Sequence, residues 1–173
     1  MLLLALLACK PPAPAAPGPQ STPTTPTAFG EDDGGAGETW TVLVFMNGDN
    51  NLEGYVTHDL NELEAGGEGG GVRVLVQADR SPGYDDSDGD WTGTRRYEIV
   101  GDDDLAQVTS PFEDLGELDM GDPAVLADFL AWGLATAPAD HVLLALWDHG
   151  DGWTAAPATA PPPPAISSDD TSH

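Results

Sequence analysis

The apolar residues of the chain form three continuous runs. These are WTVLVFM (40–46), VRVLVQA (72–78) and HVLLALW (141–147). A run that is apolar at every position, instead of at every second position, is typical of a strand buried on both faces, as in a parallel sheet. The pattern therefore predicts three central strands.

Two segments between these runs have helical spacing. Residues 50–67 begin with Asn and end with Gly-Gly, and the second helix opens at Asp122 and Pro123 and ends before Pro138. The apolar positions are Leu52, Tyr55, Val56, Leu60 and Leu63 in the first segment, and Val125, Leu126, Phe129, Leu130 and Leu134 in the second. We expect both segments to be helices that connect neighbouring strands.

This alternation of strands and helices predicts an α/β fold, a three-layer α/β sandwich with a mostly parallel sheet. The segment GTRRYEIV (93–100) predicts a shorter strand in a hairpin insertion. Ligands bind such sheets beyond the carboxyl ends of the strands. Two polar loops are expected there, NGDNN (47–51) and DHGDGW (148–153).

The N-terminal composition predicts three regions. Residues 1–9, MLLLALLAC, are apolar but too short to span a bilayer, and their Leu-Leu-Ala-Cys ending resembles a lipoprotein signal with Cys9 as the lipid anchor. An ordinary export signal or a chance apolar start is the alternative. Residues 10–39 are rich in Pro, Thr, Gly and acidic residues and predict a disordered linker, and residues 40–173 predict one domain. We expect a bacterial cell-envelope protein, lipid-anchored at the membrane or secreted.

Charge narrows the range of partners. The chain has 5 Lys and Arg against 30 Asp and Glu, a formal net charge of -25. It should repel nucleic acid and attract cations or basic peptides, although solubility alone also explains such a surface.

His149 is the main candidate for chemistry. It follows a predicted central strand, between Asp148 and Gly150 and flanked by Trp147 and Trp153. An imidazole at this place suits a general base, but a histidine in a surface turn explains the pattern equally well. Zinc is disfavoured, because no second His or Cys stands nearby.

An acidic loop offers weaker candidates for a metal site. Asp86, Asp88 and Asp90 alternate along residues 83–93, as oxygen ligands of calcium would. Trp91 replaces the glycine that an EF-hand requires, so a solvated acidic loop is the alternative. No cofactor is certain from the sequence, and calcium is the one that it allows.

Six segments of the chain carry a family resemblance when they are taken together. They are WTVLVFMNGDNNLE (40–53), RVLVQADR (73–80), GDWTGTRRY (89–97), LGELDMGDPAVLADFLAW (115–132), LLALWDHGDGW (143–153) and, more weakly, AISSDDTS (165–172). In this order they resemble the clostripain-like cysteine peptidases of the caspase and gingipain clan.

The resemblance implies a caspase-like fold and an endopeptidase that cleaves protein or peptide substrates after Arg or Lys, often with calcium. It implies that His149 is the catalytic base and acid, and that the backbone N–H of Gly150 contributes to the oxyanion hole. Trp147, Asp148 and Trp153 would shape this site.

One departure from the family concerns the nucleophile. The catalytic cysteine of the family follows the next strand, whereas Cys9 is the only cysteine of these 173 residues. We therefore expect a fold incomplete at the C-terminus, a fragment of a longer peptidase that is inactive alone. The alternative is a non-catalytic acidic surface lipoprotein that binds calcium or a cationic partner.

Overall fold

The computed structural model of the chain describes residues 4–6, 37–67 and 69–149. Cys9, most of the predicted linker, Gly150 and Trp153 lie outside these ranges. The described elements are β1 (Leu4–Leu6), β2 (Trp40–Gly48), α1 (Val56–Gly66), β3 (Val72–Arg80), β4 (Gly93–Glu98), β5 (Phe112–Gly116), α2 (Pro123–Thr136) and β6 (His141–Trp147), with short 3-10 turns at Glu53–Tyr55 and Ser87–Gly89.

The strands form one mixed sheet in the order β1-β6-β2-β3-β4-β5. Its centre is parallel, because Leu43 of β2 is paired with Leu144 of β6 on one side and with Leu75 of β3 on the other. The outer strands β1, β4 and β5 pair antiparallel to their neighbours. The three apolar runs thus form the predicted parallel centre.

In the part of the chain that the structure describes, each face of the sheet is covered by one helix. Successive side chains of a strand point to opposite faces, so alternate residues of β2 enter different cores. Val44 and Met46 pack with Leu60 of α1, whereas Leu43 and Phe45 pack with Phe129 of α2. The predicted three-layer α/β sandwich is confirmed.

Helix α1 begins later than its sequence pattern predicts. The side chain of Asn50 accepts a hydrogen bond from the Leu52 N–H at 2.8 Å, and its carbonyl accepts one from the Glu53 N–H at 3.1 Å. This local turn competes with helix formation, so α1 starts only at Val56. Tyr55, predicted at an apolar position of this helix, instead lies before the helix and is 56% exposed.

Helix α2 begins as predicted. The Asp122 carboxylate accepts a hydrogen bond from the Ala124 N–H at 2.8 Å, and Pro123 occupies the first turn. Gly133 lies against β2, where a Cβ atom would be 2.5 Å from Cδ2 of Leu43. Leu134 is one residue further around the helix, about 100° away, and is 48% exposed.

The antiparallel side of the sheet contains one strand that the pattern does not predict. The predicted segment 93–100 forms β4, which pairs with β3 on one side and with β5 on the other. Most residues of β5 are exposed, so its sequence has no apolar run.

Among the described residues, no helix is both long enough and apolar enough to cross a membrane.

Candidate active site

The two predicted polar loops meet at one edge of the sheet. Strands β2 and β6 are parallel neighbours, and Met46 is paired with Trp147 close to the carboxyl ends of both strands. The loop that follows β2 therefore lies beside Asp148 and His149. This is the edge at which α/β sheets bind ligands.

Asp148 connects the two loops. Its Oδ1 atom accepts a hydrogen bond from Nδ2 of Asn50 at 3.1 Å and another from the backbone N–H of His149 at 2.6 Å. Asn50 is buried, at 2% exposure. The carboxylate of Asp148 thus fixes the backbone that carries His149 relative to the loop after β2.

The imidazole of His149 is exposed and makes one side-chain hydrogen bond that links it to the same loop. Its Nε2 atom lies 2.6 Å from Oδ1 of Asn51. An amide oxygen can only accept a hydrogen bond, so Nε2 carries the proton in this contact. The sequence placed both asparagines in a loop at the sheet edge but did not single out either as a partner of Asp148 or His149.

Trp147 lies in the core below this site. Its indole is buried among the residues between the sheet and α1, and its Nε1–H donates a hydrogen bond to Asp59 of α1 at 2.7 Å. Trp147 thus anchors the end of β6 to the helix. Gly150 and Trp153, the other predicted site residues of this loop, lie outside the described residues, as does Cys9.

A buried ion pair supports the loop after β2. Nε of Arg80 donates to Oε1 of Glu53 at 2.5 Å, with both side chains withdrawn from solvent. Arg80 also donates to the carbonyl of Asp85 at 2.7 Å and lies over the ring of Trp91, 4.9 Å from its centroid. Nothing in the sequence pattern indicates this pair, because Glu53 and Arg80 are 27 residues apart.

Asp85 extends this polar cluster. A hydrogen bond from the Ser87 hydroxyl lowers the pKa of Asp85 most, and burial opposes the effect. The Ser87 N–H, the Thr57 hydroxyl and the Arg80 guanidinium lower that pKa further. The ionised carboxylate of Asp85 therefore joins the loop after β3 to α1, because it accepts a hydrogen bond from the hydroxyl of Thr57 in α1 at 2.9 Å.

The calcium candidates of the sequence do not form one group of ligands in the described part of the chain. Asp88 accepts a hydrogen bond from the Val108 N–H at 3.2 Å, and Asp88 and Asp90 have positive φ angles of 55° and 51°. The carboxylates that do converge within 4.8 Å belong to Asp49, Asp79 and Glu117.

The converging carboxylates of Asp49, Asp79 and Glu117 belong to different segments at the carboxyl edge of β2 and β3. Such an all-oxygen set has the chemistry that a hard divalent cation prefers. A second group, His58, Asp59 and Glu62, lies on α1, with His58 and Glu62 exposed. Exposed acidic groups of this kind are common on proteins without a bound ion.

The mixed sheet with a helix on each face has the α/β fold of caspase-like proteases. Residues 44–173 match the sequence profile of the clostripain family. Because this match covers most of the sequence, the chain belongs to the clostripain family, a family of cysteine peptidases.

Individual relatives agree with this assignment. The chain is similar to clostripain from Hathewaya histolytica, with 28% identity over 125 residues, which are 65% of this chain and 23% of the relative. It thus spans less than a quarter of the length of that curated relative.

Two solved structures share the fold. A B. fragilis cysteine protease superposes with a TM-score of 0.53 and 23% identity, covering 71% of this chain and 98% of that one. A secreted cysteine protease from Bacteroides thetaiotaomicron, solved in complex with an irreversible peptide inhibitor, has a TM-score of 0.50 and 25% identity, covering 70% of this chain and 33% of that one.

Proposed function

We propose that the chain is the histidine-bearing part of a cysteine endopeptidase that hydrolyses peptide bonds after Arg or Lys. The observation that carries the proposal is the position of His149 at the carboxyl end of a central strand, held by Asn51 and Asp148. Membership of the clostripain family supports the reaction class. The excess of acidic residues supports a preference for basic substrates.

In this proposal His149 moves protons while a cysteine thiolate attacks the scissile carbonyl. The imidazole takes the thiol proton and then gives it to the leaving amine, which leaves an acyl-enzyme thioester that water hydrolyses. The backbone N–H of Gly150 stabilises the developing oxyanion. Asp148 orients the backbone of His149 and takes no part in proton transfer.

The nucleophile belongs to the same proposal. Cys9 is the only cysteine in these 173 residues, and it lies in the apolar N-terminal segment. We expect the catalytic cysteine in sequence beyond these residues, and we expect the 173-residue chain alone to be inactive. Cys9 would instead carry a lipid, with residues 10–39 as the tether that holds the domain at the cell envelope.

The test uses the full-length protein that is encoded by the reading frame containing these residues. The purified protein is assayed, with and without calcium, on fluorogenic peptides that carry Arg, Lys or Asp before the scissile bond. We expect hydrolysis after Arg or Lys only, stimulated by calcium as the family resemblance implies. His149→Ala should lower kcat/KM at least about 100-fold, the scale of general acid–base catalysis.

His58→Ala is the matched control. His58 is exposed on α1, with 65% of its side chain accessible, and its removal should leave kcat/KM unchanged. Full activity of His149→Ala would refute the catalytic role. A native protein that ends at His173 with a mass near 18.0 kDa would favour the alternative lipoprotein, which calorimetry with calcium or a Lys-rich peptide would then test.

A further inference from the structure

We propose that Asn51 is the positioning residue of His149, and that it assigns proton exchange to Nδ1 of the imidazole. The inference rests on the proposed catalytic role of His149. It starts from the 2.6 Å contact between Nε2 of His149 and Oδ1 of Asn51, which joins residues 98 positions apart.

The imidazole needs such a partner because it is exposed. An exposed side chain on a loop samples several rotamers, and a catalytic group must be held close to one of them. The backbone of His149 is already fixed by Asp148, but that bond does not determine the rotation of the ring. The Asn51 amide supplies the missing constraint.

Asn51 is itself held from both sides. On its N-terminal side, the Asn50 N–H donates to the Gly48 carbonyl at 2.7 Å, and the Asn50 side chain bonds to Asp148. On its C-terminal side, the Leu52 N–H donates to Oδ1 of Asn50 at 2.8 Å, and Glu53 is locked by its buried ion pair with Arg80. The loop thus presents the Asn51 amide at a fixed place.

The chemical consequence follows from the acceptor character of the amide oxygen. The amide oxygen accepts a hydrogen bond from Nε2–H in both charge states of the ring. Nε2 therefore keeps its proton whether the imidazole is neutral or protonated. Only Nδ1 then gains and loses a proton. It accepts the proton of the thiol and donates it to the leaving amine, and the ring does not have to turn between the two steps.

The direct test is the ring N–H spectrum of the longer peptidase that contains these residues, labelled with ¹⁵N-histidine. We expect a His149 Nε2–H signal that is protected from exchange with water and that is assigned by its loss in His149→Gln. Asn51→Leu should abolish the signal, whereas Asn51→Asp, which keeps an oxygen acceptor, should retain it. Absence of the signal from the wild type, or its persistence in Asn51→Leu, would overturn the proposal.

His141 is the internal control in the same spectra. Its Nε2 atom contacts Oε2 of Glu38 at 2.8 Å at the opposite end of β6, so its ring signals should not change in either Asn51 variant. The more conservative Asn51→Ala is the second test and should lose the His149 signal in the same way. A His149 signal that survives in Asn51→Ala while His141 is unchanged counts against the proposal.

An activity measurement on the longer peptidase separates this inference from the proposed function. Asn51→Leu should lower kcat about 10- to 100-fold, the scale of a misplaced catalytic group, with little change in KM, and Asn51→Asp should recover part of the loss. If Asn51→Leu keeps full kcat while His149→Ala is inactive, the positioning role is wrong and the peptidase stands. If His149→Ala is fully active, both proposals fail.

Discussion

At the scale of single residues, Glu53 and Arg80 show how strongly burial affects a charge. Their side chains are 1% and 0% exposed, and removing one partner leaves the other charge buried and uncompensated. Glu53→Gln should therefore lower the free energy of unfolding by about 3 kcal/mol, measured by chemical denaturation.

The Arg96–Asp128 pair provides the control for this prediction. Its N···O distance is 2.7 Å, but the Asp128 side chain is 75% exposed. Asp128→Asn removes the same formal charge and should cost less than about 1 kcal/mol. Equal losses for Glu53→Gln and Asp128→Asn would show that burial of the Glu53–Arg80 pair does not determine its contribution.

Because of Tyr97, the free energy of unfolding should depend on pH in the alkaline range. Burial raises the pKa of Tyr97 to about 12 from its ordinary value of 10.0. Because the pKa of Tyr97 is higher in the folded chain than in the unfolded one, its contribution to the free energy of unfolding is fully present below pH 10. That contribution is lost as the pH rises towards 12. The shift corresponds to about 3 kcal/mol, and Tyr97→Phe should remove this alkaline loss when unfolding free energies are measured across that range.

Tyr84→Phe is the comparison for Tyr97→Phe, because Tyr84 is 61% exposed. Its phenol remains in water in the folded chain, so this variant should keep the full alkaline loss of the wild type. The assignment to Tyr97 is wrong if both variants lose stability with pH as the wild type does.

At the scale of elements, Gly48 determines how closely β2 approaches its neighbours. A Cβ atom at this position would overlap Cγ2 of Val56 at the start of α1 and would lie 2.6 Å from the Asp79 carbonyl of β3. Gly48→Ala should therefore cost about 2 kcal/mol of unfolding free energy, the scale of overpacking, in thermal or chemical denaturation.

Gly54→Ala tests whether the cost at Gly48 comes from crowding. The nearest atom to a Cβ at Gly54 is Cβ of Asp85 at 4.0 Å, an ordinary contact, and its φ is not in the left-handed region. We expect a change within about 0.5 kcal/mol for Gly54→Ala. A comparable loss in the two variants would mean that crowding around Gly48 is not the cause of its cost.

The central strands and helices were predictable because their buried positions are occupied by apolar residues in the sequence. The run 141–147 predicts β6 with the bounds His141–Trp147 that the structure has, and Asp122 with Pro123 marks the start of α2. Strand β5 was missed because it lies at the sheet edge with mostly exposed residues. The start of α1 was missed because Asn50 uses its side chain in a turn, which periodicity does not detect.

The location of the candidate site could be predicted from the sequence, but the side-chain contacts within it could not. Burial of β6 and the resemblance to the clostripain family both pointed to His149 at the carboxyl edge of the sheet. The partners Asn50 and Asn51 were not predicted, because each bonds to a residue 98 positions away through the parallel pairing of β2 with β6. Contacts between polar residues so far apart in sequence leave no periodic pattern in that sequence.

At the scale of the whole molecule, the net charge of -25 destabilises the compact chain through self-repulsion. Raising sodium chloride from about 0.01 M to about 1 M shortens the screening length from about 30 Å to about 3 Å, and the Tm should rise by a few degrees. Potassium chloride at equal ionic strength should give the same rise. A Tm that is constant or falls with salt would contradict dominant repulsion.

The pairing of β2 with β6 also determines when the site can form during synthesis. The ribosome makes Asn51 early, but His149 follows 98 residues later, after both helices and all the other described strands. Pairs so distant in sequence must await the closure of the whole intervening chain. A chain that has not yet been extended to His149 therefore has the Asn51 amide without its histidine, and the contact can form only after β6 has been made and has paired with β2.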